Sequence, residues 1–181
     1  KAQALATEAE AAVRVGADAP SVFSWHLLIG YLAMASGELT RAEAQLAPAN
    51  ALAQKLGPAA AVDLGFFRGT VATLAGDDER AARVFGRVEG LARELESGGP
   101  RYARARAEAR LRRAQAEWRA GEDGAADAAS QAYAQADRVL EPDDPRRLDY
   151  LDALAQMGVQ VPDAVSTRAA VRVSLGPDWP G

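Results

Sequence analysis

The 181-residue chain has no cysteine and a single histidine, His26, and only 6% of its residues are aromatic. Without cysteine there is no disulfide framework, no thiolate nucleophile and no thiolate-bound zinc or iron–sulfur site, and one histidine cannot assemble the usual multi-histidine metal site. No apolar run approaches the roughly 18–20 residues that span a bilayer, so no membrane partner is expected and the chain reads as soluble and cytoplasmic. A net charge of −4 and a pI near 5.1 give no general pull toward nucleic acid or anionic lipid, local patches aside. There is no Gly-rich phosphate loop, no G-x-S-x-G elbow and no HExxH helix. An enzyme is therefore not expected, and no catalytic residue, metal ligand or cofactor is assigned. The chain opens at Lys1 with neither Met nor a signal peptide, which reads as a piece excised from a longer protein.

Alanine is what the chain has in abundance: 43 of 181 residues, nearly half of the 49% that is hydrophobic. Alanine is the best helix former and a poor filler of a sheet face, so the composition predicts an all-α protein whose helices approach closely. Periodicity is helical throughout, interrupted by Gly, Pro and Asp at spacings typical of helical hairpins. The expected helices are 2–15, 20–36, 39–56, 58–75, 78–96, 100–120, 124–140, 144–157 and 162–174, and the Gly/Pro-rich tail 176–181 is a linker or a packed strap. Asp18 or Ser21 can cap the second helix, Glu38 or Thr40 opens the third, and Pro58 suits a first helical turn after the stop at Gly57.

Aligning Gly37, Gly76 and Gly121 exposes an internal repeat. Seven residues before each lies a small residue (Gly30, Gly69, Ala114), directly after each an acid (Glu38, Asp77, Glu122), and five after each an alanine (Ala42, Ala81, Ala126). Nine after come Leu46, Phe85 and Ser130, and twelve after come Ala49, Val88 and Tyr133. Small residues at fixed heights let two antiparallel helices pack back to back across a tight Gly turn.

These residues resemble the tetratricopeptide repeat. Gly30, Gly37, Ala42, Leu46 and Ala49 match one repeat, Gly69, Gly76, Ala81, Phe85 and Val88 a second, and the third is degraded at Ser130. The turns are separated by 39 and 45 residues where the family spacing is about 34, so the helices are longer than is usual there. The resemblance implies antiparallel hairpins stacked as a right-handed superhelix, an α-solenoid occupying 1–174 as a single domain. Repeats would fall at 20–56, 58–96 and 100–140, with 1–15 as an orphan second helix, 144–174 as a degenerate repeat or cap, and 175–181 as tail. The bias of 19 Arg to 2 Lys, together with Ala, Gly and Pro, points to a GC-rich bacterial genome, where such repeats end large signalling proteins.

Candidate residues fall in three groups. His26 lies among Val22, Phe23, Trp25, Leu27 and Leu28 and reads as a seam residue donating a ring N–H to a carbonyl rather than as a catalyst. The acids Asp77, Asp78 and Glu79, and Glu141, Asp143 and Asp144, each precede an expected helix, where carboxylates cap free N–H groups, so they are read as caps and not as a metal site. The helix 20–36 is apolar nearly all round; it is either buried on every side or offers an apolar strip to a partner. The resemblance places partner contacts at Leu27, Tyr31 and Met34, and at Phe66, Thr70 and Thr73 in the next repeat. It also argues against the family's carboxylate clamp for chaperone C-termini, since the Lys and Asn that clamp needs are absent.

The stretch 101–119 carries seven arginines against Glu108 and Glu117. At 100° per residue Arg101, Arg104, Arg112 and Arg119 share one direction, Arg106, Arg110 and Arg113 another, and Ala103, Ala107, Leu111, Ala114 and Trp118 form the packing stripe. The Gly121 alignment turns Arg110, Arg113 and Glu117 inward instead; burying three charges is costly, so the stripe is preferred and the turn is shifted by one residue. Arg112 and Arg119 then face the concave side, where their guanidinium forks suit an acidic peptide. A solvated face, and pairing with the acid-rich segment 120–152, stand beside that reading. Nucleic acid is not expected, since only Tyr102 and Trp118 offer stacking platforms nearby. The expected function is a protein- or peptide-binding scaffold inside a larger bacterial protein, with self-association through the orphan first helix as a further possibility. The alternative is an intramolecular sensory or dimerising region that controls an upstream kinase, ATPase or DNA-binding domain.

Overall fold

Helix follows helix along the chain in the computed structural model, which describes residues 18–162 and 164–175, and no strand occurs among them. The elements are α1 (Ala19–Ala35), α2 (Leu39–Ala44), α3 (Leu46–Leu56), α4 (Pro58–Leu74), α5 (Asp78–Glu94), a 3-10 turn (Glu96–Gly98), α6 (Pro100–Arg119), α7 (Ala125–Asp137), α8 (Arg146–Gln156) and α9 (Ala164–Leu175). The expected helix 2–15 and the tail 176–181 lie outside the described residues. The all-α expectation holds. The chain divides into two units, 1–77 and 78–181, and the division falls just after the Gly76 turn.

Local chemistry sets the ends of the helices. Asp18 caps α1 by accepting the Ser21 N–H at 2.9 Å. Hydrogen bonding from Ser21 holds the Asp18 carboxyl below its ordinary value. Gly57, at φ 91°, ends α3, and Pro58 opens α4. The helix expected over 39–56 is instead two helices, broken at Gln45. Pro48 explains the break, because it has no N–H for the Ala44 carbonyl and its ring crowds that oxygen. Gln45 N–H therefore turns back to the Ala42 carbonyl at 3.1 Å.

Three expected turns share one hydrogen-bond pattern, and a fourth joins them. Gly37, Gly76, Gly121 and Gly158 are all left-handed, with φ between 74° and 79°. After each of them the next N–H reaches back five residues: Glu38 to Ala33, Asp77 to Ala72, Glu122 to Glu117 and Val159 to Leu154, at 2.8–3.0 Å. This pairing satisfies carbonyls that a helix end leaves free, and a side chain with a Cβ is strained at that φ. The helices that follow the first three bury residues, mostly alanine, at regular heights: Ala42, Ala49 and Ala53; Ala81, Phe85, Val88 and Ala92; Ala125, Ala129, Ala132 and Ala136. Counted from the turn glycine, the third set comes one residue early. The longer turn, with Gly124 also left-handed at φ 82°, re-phases α7 so that Ala125 and not Ala126 points inward.

In the first unit α1 packs on α2, α3 and α4 around Phe23, Ala33, Ala42, Ala49, Leu64, Phe67 and Val71. Phe67 is fully buried, and its ring lies on the α1 backbone at Gly30. A Cβ at position 30 would sit 2.2 Å from Phe67 Cζ, so only glycine admits the ring. Tyr31 flanks the same ring at 5.3 Å between centroids. In the second unit α6 is central, with α5 on one side and α7 and α8 on the other. Ala107, Leu111 and Ala114 of α6 join Ala129, Ala132 and Ala136 of α7 and Tyr150, Ala153 and Leu154 of α8 in one core.

Two glycine substitutions should move stability in opposite directions. Gly30→Ala forces the ring of Phe67 out of a packed core and should cost about 1–3 kcal/mol in urea denaturation. Gly90→Ala, in mid-α5 with nothing within 4 Å of the added Cβ, should raise stability by about 0.5–1 kcal/mol.

Candidate interaction surfaces

The apolar helix expected to be either core or strip is both, on opposite sides. Phe23, Ile29, Gly30 and Ala33 are the buried side of α1. Ser21, Ser24, Leu28, Tyr31, Leu32 and Ala35 are exposed, and at 100° per residue they fall within one arc of about 100°. Leu28 is 51% exposed, Leu32 44% and Tyr31 40%. No charged residue occurs between Ala19 and Gly37, so this surface has neither a charge nor a long polar side chain on it. Of the three contact positions read from the sequence, Tyr31 faces outward, whereas Leu27 and Met34 pack against the core of the first unit. Leu28 and Leu32 are the exposed residues the sequence reading missed. An all-apolar helix has no polar face to fix its rotation, so the pattern alone could not tell Leu27 from Leu28.

The remaining positions in this unit are mostly committed to the fold. Thr70 and Thr73 donate their hydroxyls to the carbonyls of Phe66 and Gly69 at 2.9 and 3.0 Å, and Phe66 is half-buried. His26 Nδ1 donates to Gln45 Oε1 at 2.9 Å. The expected ring N–H to carbonyl bond is thus made to a side-chain amide, and it ties α1 to the break between α2 and α3.

In the second unit the arginines of α6 sort by direction. Arg106, Arg110 and Arg113 turn toward α5 and the 3-10 turn. Arg106 meets Glu96 at 2.9 Å, Arg110 and Arg113 meet Glu89 at 3.2 and 3.5 Å, and Arg113 also meets Glu117 at 2.7 Å. That hydrogen bond to Glu117 raises the Arg113 pKa above its ordinary value. The stripe Ala103, Ala107, Leu111 and Ala114 is buried as expected, but Trp118, its last expected member, is 43% exposed. A second buried line, Ala109 and Ala116, lies outside the α6–α7–α8 core. The inward-turning charges of the Gly121 alignment and the preferred stripe therefore coexist, because carboxylates of α5 and α6 answer the charges.

The other lane of α6 comprises Arg101, Arg104, Glu108, Arg112, Gln115 and Arg119. Arg119 Nε donates to Asp78 Oδ1 at 2.7 Å, which ties the end of α6 to the start of α5. Arg112 stands 3.8 Å from Glu108, beyond hydrogen-bond reach, and is 44% exposed. Arg104 Nε donates to the Val139 carbonyl at 3.2 Å.

Arg147 is the functional-looking residue that sequence reading did not single out, and its work is structural. It is 7% exposed and donates to Asp137 Oδ1 and to the carbonyls of Asp137, Leu140 and Glu141 at 2.7–3.2 Å. It thereby satisfies the Asp137 carbonyl at the end of α7 and two carbonyls of the loop that follows. A cation in the first turn of a helix opposes the dipole, and that was the available signal that Arg147 is held by something else. The acids behave as end groups: Asp78 and Glu79 pair with Arg119 and Arg83, and Asp144 accepts from Arg146 at 2.9 Å. The Arg146 bonds hold the Asp144 carboxyl below its ordinary 3.8, and burial pushes the Tyr150 hydroxyl up. Among the described residues no group of three His, Asp or Glu side chains could hold a metal ion, and no helix is long and apolar enough to cross a membrane. Comparison with protein-family models, with curated proteins and with solved structures gave no match to this chain.

Two outcomes follow for the second unit. Arg147→Ala should destabilise it by about 1.5–3 kcal/mol in chemical denaturation, and Arg147→Lys should not restore it, because a point charge cannot serve several carbonyls at once. Because the Asp144 carboxyl lies below its ordinary value when folded, its contribution is complete above that value and is lost as the pH falls through the lower folded one. Thermal melts of Asp144→Asn should accordingly differ from the parent at pH 7 and converge with it in strong acid.

Proposed function

We propose that the chain is a non-enzymatic protein-binding module of the tetratricopeptide type, part of a larger cytoplasmic bacterial protein. Support for the repeat reading comes from the four glycine turns with one hydrogen-bond pattern, and from residues buried at matching heights after two of them and one residue earlier after the third. In the stacked right-handed arrangement of that family, first helices such as α1 line the concave side. The observation that carries the binding reading is the uncharged apolar arc of Leu28, Tyr31 and Leu32, since a soluble protein seldom leaves a contiguous apolar strip open without a use for it. The partner is a polypeptide segment that lays apolar side chains along α1, with Leu28 and Leu32 supplying area and Tyr31 a rigid amphipathic contact.

Selection from a random peptide library tests the reading. Peptides retained by the parent should carry apolar anchors and should bind the double variant Leu28→Asp/Leu32→Asp at least about tenfold more weakly. Both positions are exposed, so circular dichroism of the variant should match the parent. Equal binding to the variant, or a selection that retains nothing, would remove α1 as the docking face.

A further inference from the structure

We propose that the outward lane of α6 binds acidic polypeptide, with Arg104 and Arg112 as its two anchoring groups. It is a second surface, in the other unit, and it does not depend on the apolar arc of α1 being used.

The argument is one of unspent hydrogen-bonding capacity. A guanidinium has five N–H donors. Arg119 spends its charge on Asp78, and Arg146 of α8 spends its fork on Asp144. Arg104 uses one donor, on the neutral Val139 carbonyl, and among the described residues no carboxylate lies within ion-pair distance of it, although its charge acts on Asp144 from further away. Arg112 pairs with Glu108 at 3.8 Å, an ion pair too long for a hydrogen bond, so its N–H donors stay open. Both lie on the outward lane of α6, Arg112 exposed and Arg104 half-buried, away from Glu89 and Glu96, which answer Arg106, Arg110 and Arg113. α8 borders this stretch: the charges of Glu108, Arg146 and Arg112 all act on the Tyr150 hydroxyl.

Spacing decides which polyanion fits. Arg104 and Arg112 are eight residues apart on one helix, a rise of about 12 Å, with Glu108 midway. An extended peptide advances about 3.3 Å per residue, so carboxylates four residues apart reach both guanidinium groups and straddle Glu108. A nucleic-acid strand carries a phosphate at every nucleotide, so a strand that bridges both arginines also sets phosphate against the Glu108 carboxylate between them. The lane therefore selects widely spaced carboxylates over a continuous run of negative charge.

The test is fluorescence anisotropy of the full chain at low ionic strength with a labelled Gly/Ser peptide bearing Glu at every fourth residue. Saturable binding is expected, about tenfold weaker for Arg112→Gln, which disturbs no hydrogen bond of the fold, and about tenfold weaker for Arg104→Gln. Arg87→Gln, at an exposed position of α5, should leave it unchanged, as should Leu28→Asp/Leu32→Asp, so the two surfaces fail or stand separately. The proposal is overturned by the absence of saturable binding, by an equal loss in Arg87→Gln, by equal affinity for a peptide with the same number of Glu in one run, or by tighter binding of an oligothymidylate with the same arginine dependence.

Discussion

Close approach of helix backbones is the constraint on which both units depend. Alanine buries one methyl group, so a seam of alanines gains little from desolvation residue by residue and must gain from contact between the backbones themselves. That gain falls away steeply if the helices separate. The structure accordingly buries Ala42, Ala49, Ala81, Ala107, Ala114, Ala129 and Ala132 completely and reserves its few large side chains for wider gaps. Phe67 against Gly30 is the sharpest case: the ring occupies the place a side chain at position 30 would need, and it fixes α1 and α4 to one another.

Such close seams also determine what happens to charge. Where α5 and α6 run together the sequence places Arg106, Arg110, Arg113 and Glu117 along the seam, partly exposed. They stay because Glu89 and Glu96 lie opposite and because the arginine stems cover the seam while their heads reach its edge. Arg147 extends the principle to the loop after α7, where its guanidinium serves the carbonyls of Asp137, Leu140 and Glu141. The result is a second unit in which ion pairs line the seam between α5 and α6. In the first unit no charge is present on α1 at all, and its outward arc stays apolar.

Much of this was legible beforehand. Helix, turn and cap positions followed from alanine content, Gly and Pro placement and Asp18, since these act through local backbone sterics and hydrogen bonds that need no neighbour. The glycine spacing identified turns that prove to share one hydrogen-bond pattern. The break at Gln45 was also within reach, because Pro48 cannot serve the carbonyl of Ala44 whatever surrounds it. Rotation of a helix about its own axis was less accessible. In the helix containing Leu27 and Leu28 every face was apolar, so the pattern gave no contrast; in the one containing Arg110 and Arg112 the alanine stripe was readable, but basic residues flanked it on both sides and did not show which would meet carboxylates.

The sequence by itself thus determined the all-α class of the described residues, the glycine turns between most of the helices, and the absence of the cysteine and histidine sets that most metal and redox sites require. Only the tertiary structure decided that Leu28 and Leu32 face outward while Leu27 and Met34 face in, that Phe67 rests on Gly30, that Arg113 meets Glu89 while Arg112 does not reach Glu108 closely, and that Arg147 is enclosed. The division has a physical cause: local backbone preferences are written within a few residues, whereas the direction of a side chain on a nearly uniform helix is set by which neighbour approaches, and how near.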